Sequence, residues 1–86
     1  MKWEDANKAC ESLGNGWRLP TKDELNLLYL NRDAIGGFSN GVYWSSTENG
    51  TYNYYFVAWF QNFYDGFQGN LANKDKAFTV RAIRSF

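Results

Sequence analysis

The residue pattern predicts an α+β fold, two helices followed by a small antiparallel sheet with long loops. Two N-terminal stretches carry apolar residues at helical spacing, each with its own start or stop signal. The remainder is rich in β-branched and aromatic residues, punctuated by Gly, Asn and Asp. No internal repeat or linker divides the 86 residues, so 1–86 reads as one domain.

The first helix is "WEDANKACESLG". Trp3, Ala6, Cys10 and Leu13 share one face, Glu4 and Asp5 suit the positive end of the helix dipole, and Gly14 is a stop. The second is announced by "GWRLPTKDELNLLYL". Thr21 and Glu24 have capping-box spacing, Pro20 stands just before them, and Leu25, Leu28 and Tyr29 make the apolar stripe up to about Asn31. Trp17 and Leu19 precede it as an extended plug. Arg18 points the other way, towards a salt bridge or carbonyl clamp in preference to a ligand.

"DAIGGFSNG" reads as a loop, "VYWSST" as a strand, "ENGTYN" as a turn and "YYFVAWFQNF" as a strand with apolar groups on both faces. Asp65-Gly66 signals a hairpin, and "GNLANKDK" is loop-like. "AFTVRAIRSF" reads as a last strand, with Phe78, Val80 and Ala82 on one face and Thr79, Arg81 and Ile83 on the other.

Composition narrows function. Four Trp, six Tyr and seven Phe are more rings than so short a chain can enclose, so several should lie exposed, as at binding surfaces. Nine basic and nine acidic residues cancel, and no basic run points to nucleic acid. No apolar stretch reaches the length of a membrane span, and no signal peptide is visible. Without histidine, Ser45 and Ser46 cannot belong to a Ser-His-Asp triad, and Cys10 alone makes neither an internal disulfide nor a Cys-based zinc site. Asp23 and Glu24 are better read as a solvated first turn than as an acid–base pair. The expectation is therefore no enzyme and no cofactor. Asp65, Asn70, Asn73 and Asp75 could offer oxygens to a hard cation, but turn formation explains them more simply.

"GWRLPTKDEL", "YWSSTE" and "VRAIR", in this order, resemble the bacterial C-type-lectin-like domains at the ends of collagen-like adhesins and in major-paralogous-domain lipoproteins, within the wider formylglycine-generating-enzyme-like fold. The resemblance implies that Trp17, Leu19, Trp44 and Trp59 are scaffold, and that the setting is secreted, on the cell surface or on a virion. It does not carry over the relatives' chemistry. Formylglycine generation uses paired cysteines with a metal, and only Cys10 is present. Animal lectins hold calcium and sugar with a carboxylate–Pro–Asn loop and Trp-Asn-Asp, whereas Pro20 starts a helix here and Phe-Gln-Asn follows Trp59. Family members usually have a strand before the first helix that pairs with the last one. This chain starts on the helix, so the last strand is expected to present a bare edge and to favour a homo-oligomer.

A narrower resemblance covers residues 54–79, which look like the variable region of a diversity-generating retroelement target protein. In such proteins Asn codons are rewritten at adenines. Ala58, Trp59, Gln61, Asn62, Phe63, Gly66 and Gln68 stand where the pattern is fixed, and Phe60, Tyr64, Asp65, Phe67 and Gly69 where Asn would vary. Leu71, Ala72, Asp75, Ala77, Phe78 and Thr79 are compatible with the same rule. The expected ligand-contact residues are Tyr54, Phe56, Phe60, Tyr64, Asp65, Phe67, Gly69, Asn70, Leu71, Asn73, Asp75 and Phe78, with Trp59 and Phe63 in the core. Rigid rings mixed with adaptable hydrogen-bonders suit a protein or carbohydrate ligand on a cell or phage surface. Two alternatives are a fixed-sequence module for carbohydrate or glycosaminoglycan and a structural oligomerisation module.

Overall fold

The computed structural model describes residues 1–84, so the last two residues of the expected final strand, Ser85 and Phe86, lie outside the described residues. The chain runs α1 (Trp3–Glu11), β1 (Trp17–Arg18), α2 (Lys22–Leu30), α3 (Arg32–Ile35), β2 (Val42–Tyr52), β3 (Tyr55–Asn62), β4 (Gln68–Asn73) and β5 (Ile83–Arg84). Strands β2, β3 and β4 form an antiparallel sheet in that order, and β1 pairs with β5 in a second, two-stranded sheet. The architecture is α+β, as the pattern predicts.

Two cores hold it together, one containing Trp44 and the other Tyr43, neighbours in β2 whose side chains alternate between the faces of a strand. Trp44 packs with Trp3, Ala6 and Cys10 of α1 and with Leu19, Ala58 and Ala72. Tyr43 packs with Leu25 of α2 and Phe63. Leu13, expected on the buried face of α1, is exposed. The helix stops at Glu11, where the Leu13 and Gly14 N–H groups turn back onto the Cys10 and Glu11 carbonyls. Trp17 and Trp59 are half-buried, looser than the scaffold role expected of them, while Leu19 and Trp44 are fully enclosed.

The start of α2 is fastened twice. Thr21 Oγ1 accepts from the Glu24 N–H at 3.3 Å, and the Thr21 N–H donates to Glu24 Oε1 at 2.9 Å, completing the capping box. Arg18 grips the same carboxylate with both guanidinium nitrogens, at 2.6 and 2.7 Å. The Arg18 fork, through its hydrogen bonds, is the main force holding the Glu24 carboxyl down at about 2; partial burial opposes it, and the Thr21 N–H and hydroxyl assist.

The hydroxyl run after Trp44 has a structural reason. Between Trp44↔Phe60 and Glu48↔Ala58 the ladder shifts, so three residues of β2 face one of β3. Ser45 Oγ donates to the orphaned Trp59 carbonyl at 2.8 Å and accepts from the Thr47 N–H at 3.1 Å. Ser46 N–H donates to the Pro20 carbonyl, and Thr47 Oγ1 accepts from the Lys22 N–H, tying the bulge to the start of α2.

Four expectations about elements need correction. The "DAIGGFSNG" loop begins with a single helical turn, α3. "ENGTYN" is largely strand: β2 continues to Tyr52, and the chain reverses at Asn53 and Tyr54, whose φ angles are 50° and 69°. "GNLANKDK" is not a loop at its start but contains β4, where Gly69 and Gln68 pair with Phe60 and Gln61; cross-strand pairing overrides the weak strand preference of Gly and Asn. The last segment turns Phe78, Val80 and Ala82 onto the Trp44 core as its alternation predicts, but its backbone pairs with β2 at the isolated Tyr43–Thr79 bridge and not along a ladder, before β5 pairs with β1. The final strand therefore has a neighbour, which removes the premise for oligomerisation through a bare last edge.

Candidate functional site

The segment expected to carry recognition rests on a rigid base. Gln61 is fully buried in β3. Its Nε2 donates to Asn26 Oδ1 at 3.0 Å and to the Gly66 carbonyl at 3.1 Å, while its Oε1 accepts from Gln68 Nε2 at 3.2 Å. Gln68 Nε2 also donates to the Lys22 carbonyl at 2.7 Å. One carboxamide pair thus ties α2, the β3–β4 turn and β4 together. Gly66 has φ 84°, and a Cβ there would come within 2.6 Å of the Tyr29 ring, so both conformation and space call for glycine. The turn is closed by side chains: Asn62 Oδ1 accepts from the Tyr64 N–H and Asp65 Oδ1 from the Phe67 N–H, each at two residues' distance. Asn73 Oδ1 accepts in the same way from the Asp75 N–H. Of the four residues the simpler sequence reading assigned to turns, the side chains of Asp65 and Asn73 build them; Asp75 enters through its N–H, and Asn70 lies in β4.

On this base the twelve expected contact residues divide into three groups. Phe60, Phe67, Gly69, Asn70, Leu71 and Phe78 line one groove of about 350 Å³, completed by Ala72 and Lys76. Tyr54, Phe56, Asn73 and Asp75 line a second cleft of about 240 Å³ with Glu4, Tyr55 and Lys74. Tyr64 and Asp65 line neither: they sit exposed at the tip of the β3–β4 turn.

Within the groove, Phe67 and Leu71 are exposed, but Phe60 and Phe78 are half-buried against the Trp44 core, their ring centres 5.6 Å apart. Phe60 is thus less free than its alternation implied, because the C-terminal segment covers part of its face. The Phe60 ring lies over Gly69: a Cβ added at residue 69 would stand 2.3 Å from its Cζ. These two positions share one volume, and glycine at one is the condition for phenylalanine in this pose at the other. Apart from Asn70 and Lys76, the side chains of the groove lining are apolar. Its single charged side chain, Lys76, is exposed and makes no ion pair among the described residues.

The second cleft is organised by Lys74, which sequence reading did not single out. Its side chain is only 12% exposed; Nζ lies 4.0 Å from the Trp3 ring centre and 5.8 Å from that of Phe56, and donates to Glu48 Oε2 at 2.9 Å. A Trp at the chain start, a Glu in β2 and a Lys after β4 give no local signal of this meeting. Lys76, Tyr55 and Glu4 were missed for the same reason.

The remaining chemistry is quiet. Cys10 is buried, and burial, with Glu11 adding to it, pushes its thiol up and away from thiolate character. Among the described residues no group of three His, Cys, Asp or Glu side chains is placed to hold a metal ion, and no helix is long and apolar enough to cross a membrane.

Fold and groove together define a small α+β domain that carries an open aromatic surface on a hydrogen-bonded scaffold. The chain belongs to the Lcl C-terminal domain family, whose model matches residues 1–84. A search of the curated proteins finds no match.

Proposed function

We propose that this domain is a non-enzymatic ligand-binding module, that its contact surface is the Phe60–Phe67–Leu71–Phe78 groove, and that residues 54–79 form a diversified segment of a diversity-generating retroelement target protein on a C-type-lectin-like scaffold. The observation that carries the reading is how burial sorts the segment. Ala58, Gln61 and Phe63, read as fixed, are buried, and Trp59, Asn62, Gly66 and Gln68 are half-buried. Tyr64, Asp65 and Phe67, read as variable, are exposed, and the half-buried Phe60 and Gly69 meet at the groove wall. A diversified protein needs this division, because substitutions at a rim leave the core intact whereas substitutions in a core do not. Ala72 runs against it: it fits the codon rule but is buried, and is best kept with the scaffold.

Two experiments test the proposal. The DNA beside the gene should hold a near-copy of the codons for this segment, differing at adenines and close to a reverse transcriptase; a neighbourhood without one removes the diversification part. For the groove, Leu71→Ala and Phe67→Ala should abolish binding of a selected ligand at unchanged melting temperature. Binding that survives both moves the contact surface elsewhere.

A further inference from the structure

The ligand chemistry of the groove can be narrowed, and this step rests on the reading of the groove as the contact surface. We infer that it takes an apolar side chain of a protein ligand whose neighbouring carboxylate pairs with Lys76, and that it does not take a carbohydrate. The cavity of about 350 Å³ lies at the small end of the range for ligand pockets, roughly 300–1,000 Å³, which suits one anchoring side chain. Its walls are rings and aliphatic carbons, with Asn70 and Lys76 the only polar side chains among the described residues that line it. The Asn70 backbone carbonyl accepts from Asn49 Nδ2 at 2.9 Å, which leaves the Asn70 side-chain amide and the Lys76 ammonium as the polar side-chain groups of the wall. A sugar would lose water from many hydroxyls here and recover few hydrogen bonds.

Charge complementarity points the same way. Among the described residues Lys76 is the one cation lining the groove, and it makes no ion pair. The adjoining cleft, reached along residues 72–76, holds the exposed acids Glu4 and Asp75, and its one cation, Lys74, is committed to Glu48. A sulfated or uronic polysaccharide needs a row of free cations and would meet these acids instead. An apolar residue with one Asp or Glu beside it meets one ring-lined slot and one free ammonium.

A random peptide library displayed on phage, panned on the folded domain and on its Lys76→Glu variant, tests this. The native domain should enrich peptides with an aromatic or large aliphatic residue within one or two positions of Asp or Glu. The variant should enrich Lys or Arg at that place instead. Peptides selected on the native domain should bind the variant roughly five to ten times more weakly and should shift the ring signals of Phe60, Phe67 and Phe78. Ring shifts without any acid preference, or with a preference unchanged by Lys76→Glu, overturn the charge pairing while the groove survives as a binding site. Ring shifts produced by heparin oligosaccharides but not by peptides overturn the protein ligand in favour of carbohydrate. Enrichment of nothing, or of peptides that leave the three rings untouched, overturns the inference and the groove reading together.

Discussion

The Tyr43 core and the Trp44 core are built from the same material and end differently. Around Tyr43 the rings close on one another: Phe63 stands 4.4 Å from Tyr43, 5.1 Å from Phe38 and 5.4 Å from Tyr29, centre to centre. Arg32 and Arg81 cap this cluster, their guanidinium carbons 4.1 Å and 4.5 Å from the Tyr29 and Phe38 ring centres. Around Trp44 the rings start as tightly, with Phe78 at 4.5 Å, but loosen outward through Phe60 to Phe67 at 6.3 Å, where 61% of Phe67 meets solvent. The difference lies in what covers each core. A continuous helix, α2, lies over the first. The second is covered by α1 and by the extended C-terminal segment, and the Phe67–Leu71 end stays open. An aromatic-rich sequence therefore yields a closed core where rings pack on one another beneath α2, and a groove at the end of the other core that α1 does not reach and only the extended C-terminal segment covers.

The largest test of this contrast is Trp44→Ala. It removes the fully buried ring at the root of the open core and its Nε1 hydrogen bond to the Met1 carbonyl, and should cost about 3–5 kcal/mol in urea unfolding. A cost below about 1 kcal/mol would mean that this core is loose throughout and not only at its rim.

Gly69→Ala should come next. Its Cβ would collide with the Phe60 ring, at a cost of about 1–3 kcal/mol. In a Phe60→Ala background the same change should cost far less, and the double-mutant cycle measures the coupling directly. Additive effects would show that the two positions do not share a volume.

A smaller effect belongs to the fastening of α2. The folded-state pKa of Glu24, about 2, lies below that of an unfolded glutamate, about 4.3. The carboxylate contribution is thus fully present above the unfolded value and is lost as pH falls from there through about 2. Melting temperature should fall more steeply over that window in the native chain than in Glu24→Gln. Because the Arg18–Glu24 pair is about one-third exposed, solvent screening keeps the difference modest. Equal slopes would place the pH sensitivity elsewhere.

The smallest changes are expected at the open end. Tyr64→Ala and Phe67→Ala should each stay within about 0.5 kcal/mol, since Tyr64 is 75% exposed and Phe67 lies at the rim. If either unfolds the domain as Trp44→Ala does, the open end is core after all and the contrast fails.

How much was legible followed the range of the signal. The capping box at Thr21 and Glu24, the Trp3–Ala6–Cys10 stripe and the Asp65-Gly66 turn are written within a few residues, and each stands where its local chemistry puts it. β4 escaped, because Gln68–Asn73 has little strand preference and pairs only because β3 offers a ladder and Phe60 covers Gly69. Of the site, the sequence pointed to the segment and the surplus of rings, but not to its division into two clefts or to Lys74 and Lys76 beside them.

The sequence by itself determined the α+β class, the helix starts, the inward stripe of α1 and an aromatic load heavy for so short a chain. Only the tertiary structure decided which rings close on each other, which volume Phe60 and Gly69 share, and where Lys74 finds both Trp3 and Glu48. The physical reason is distance along the chain. Capping, turns and periodicity act over two to four residues, whereas a groove is the space left when segments dozens of residues apart pack without filling it.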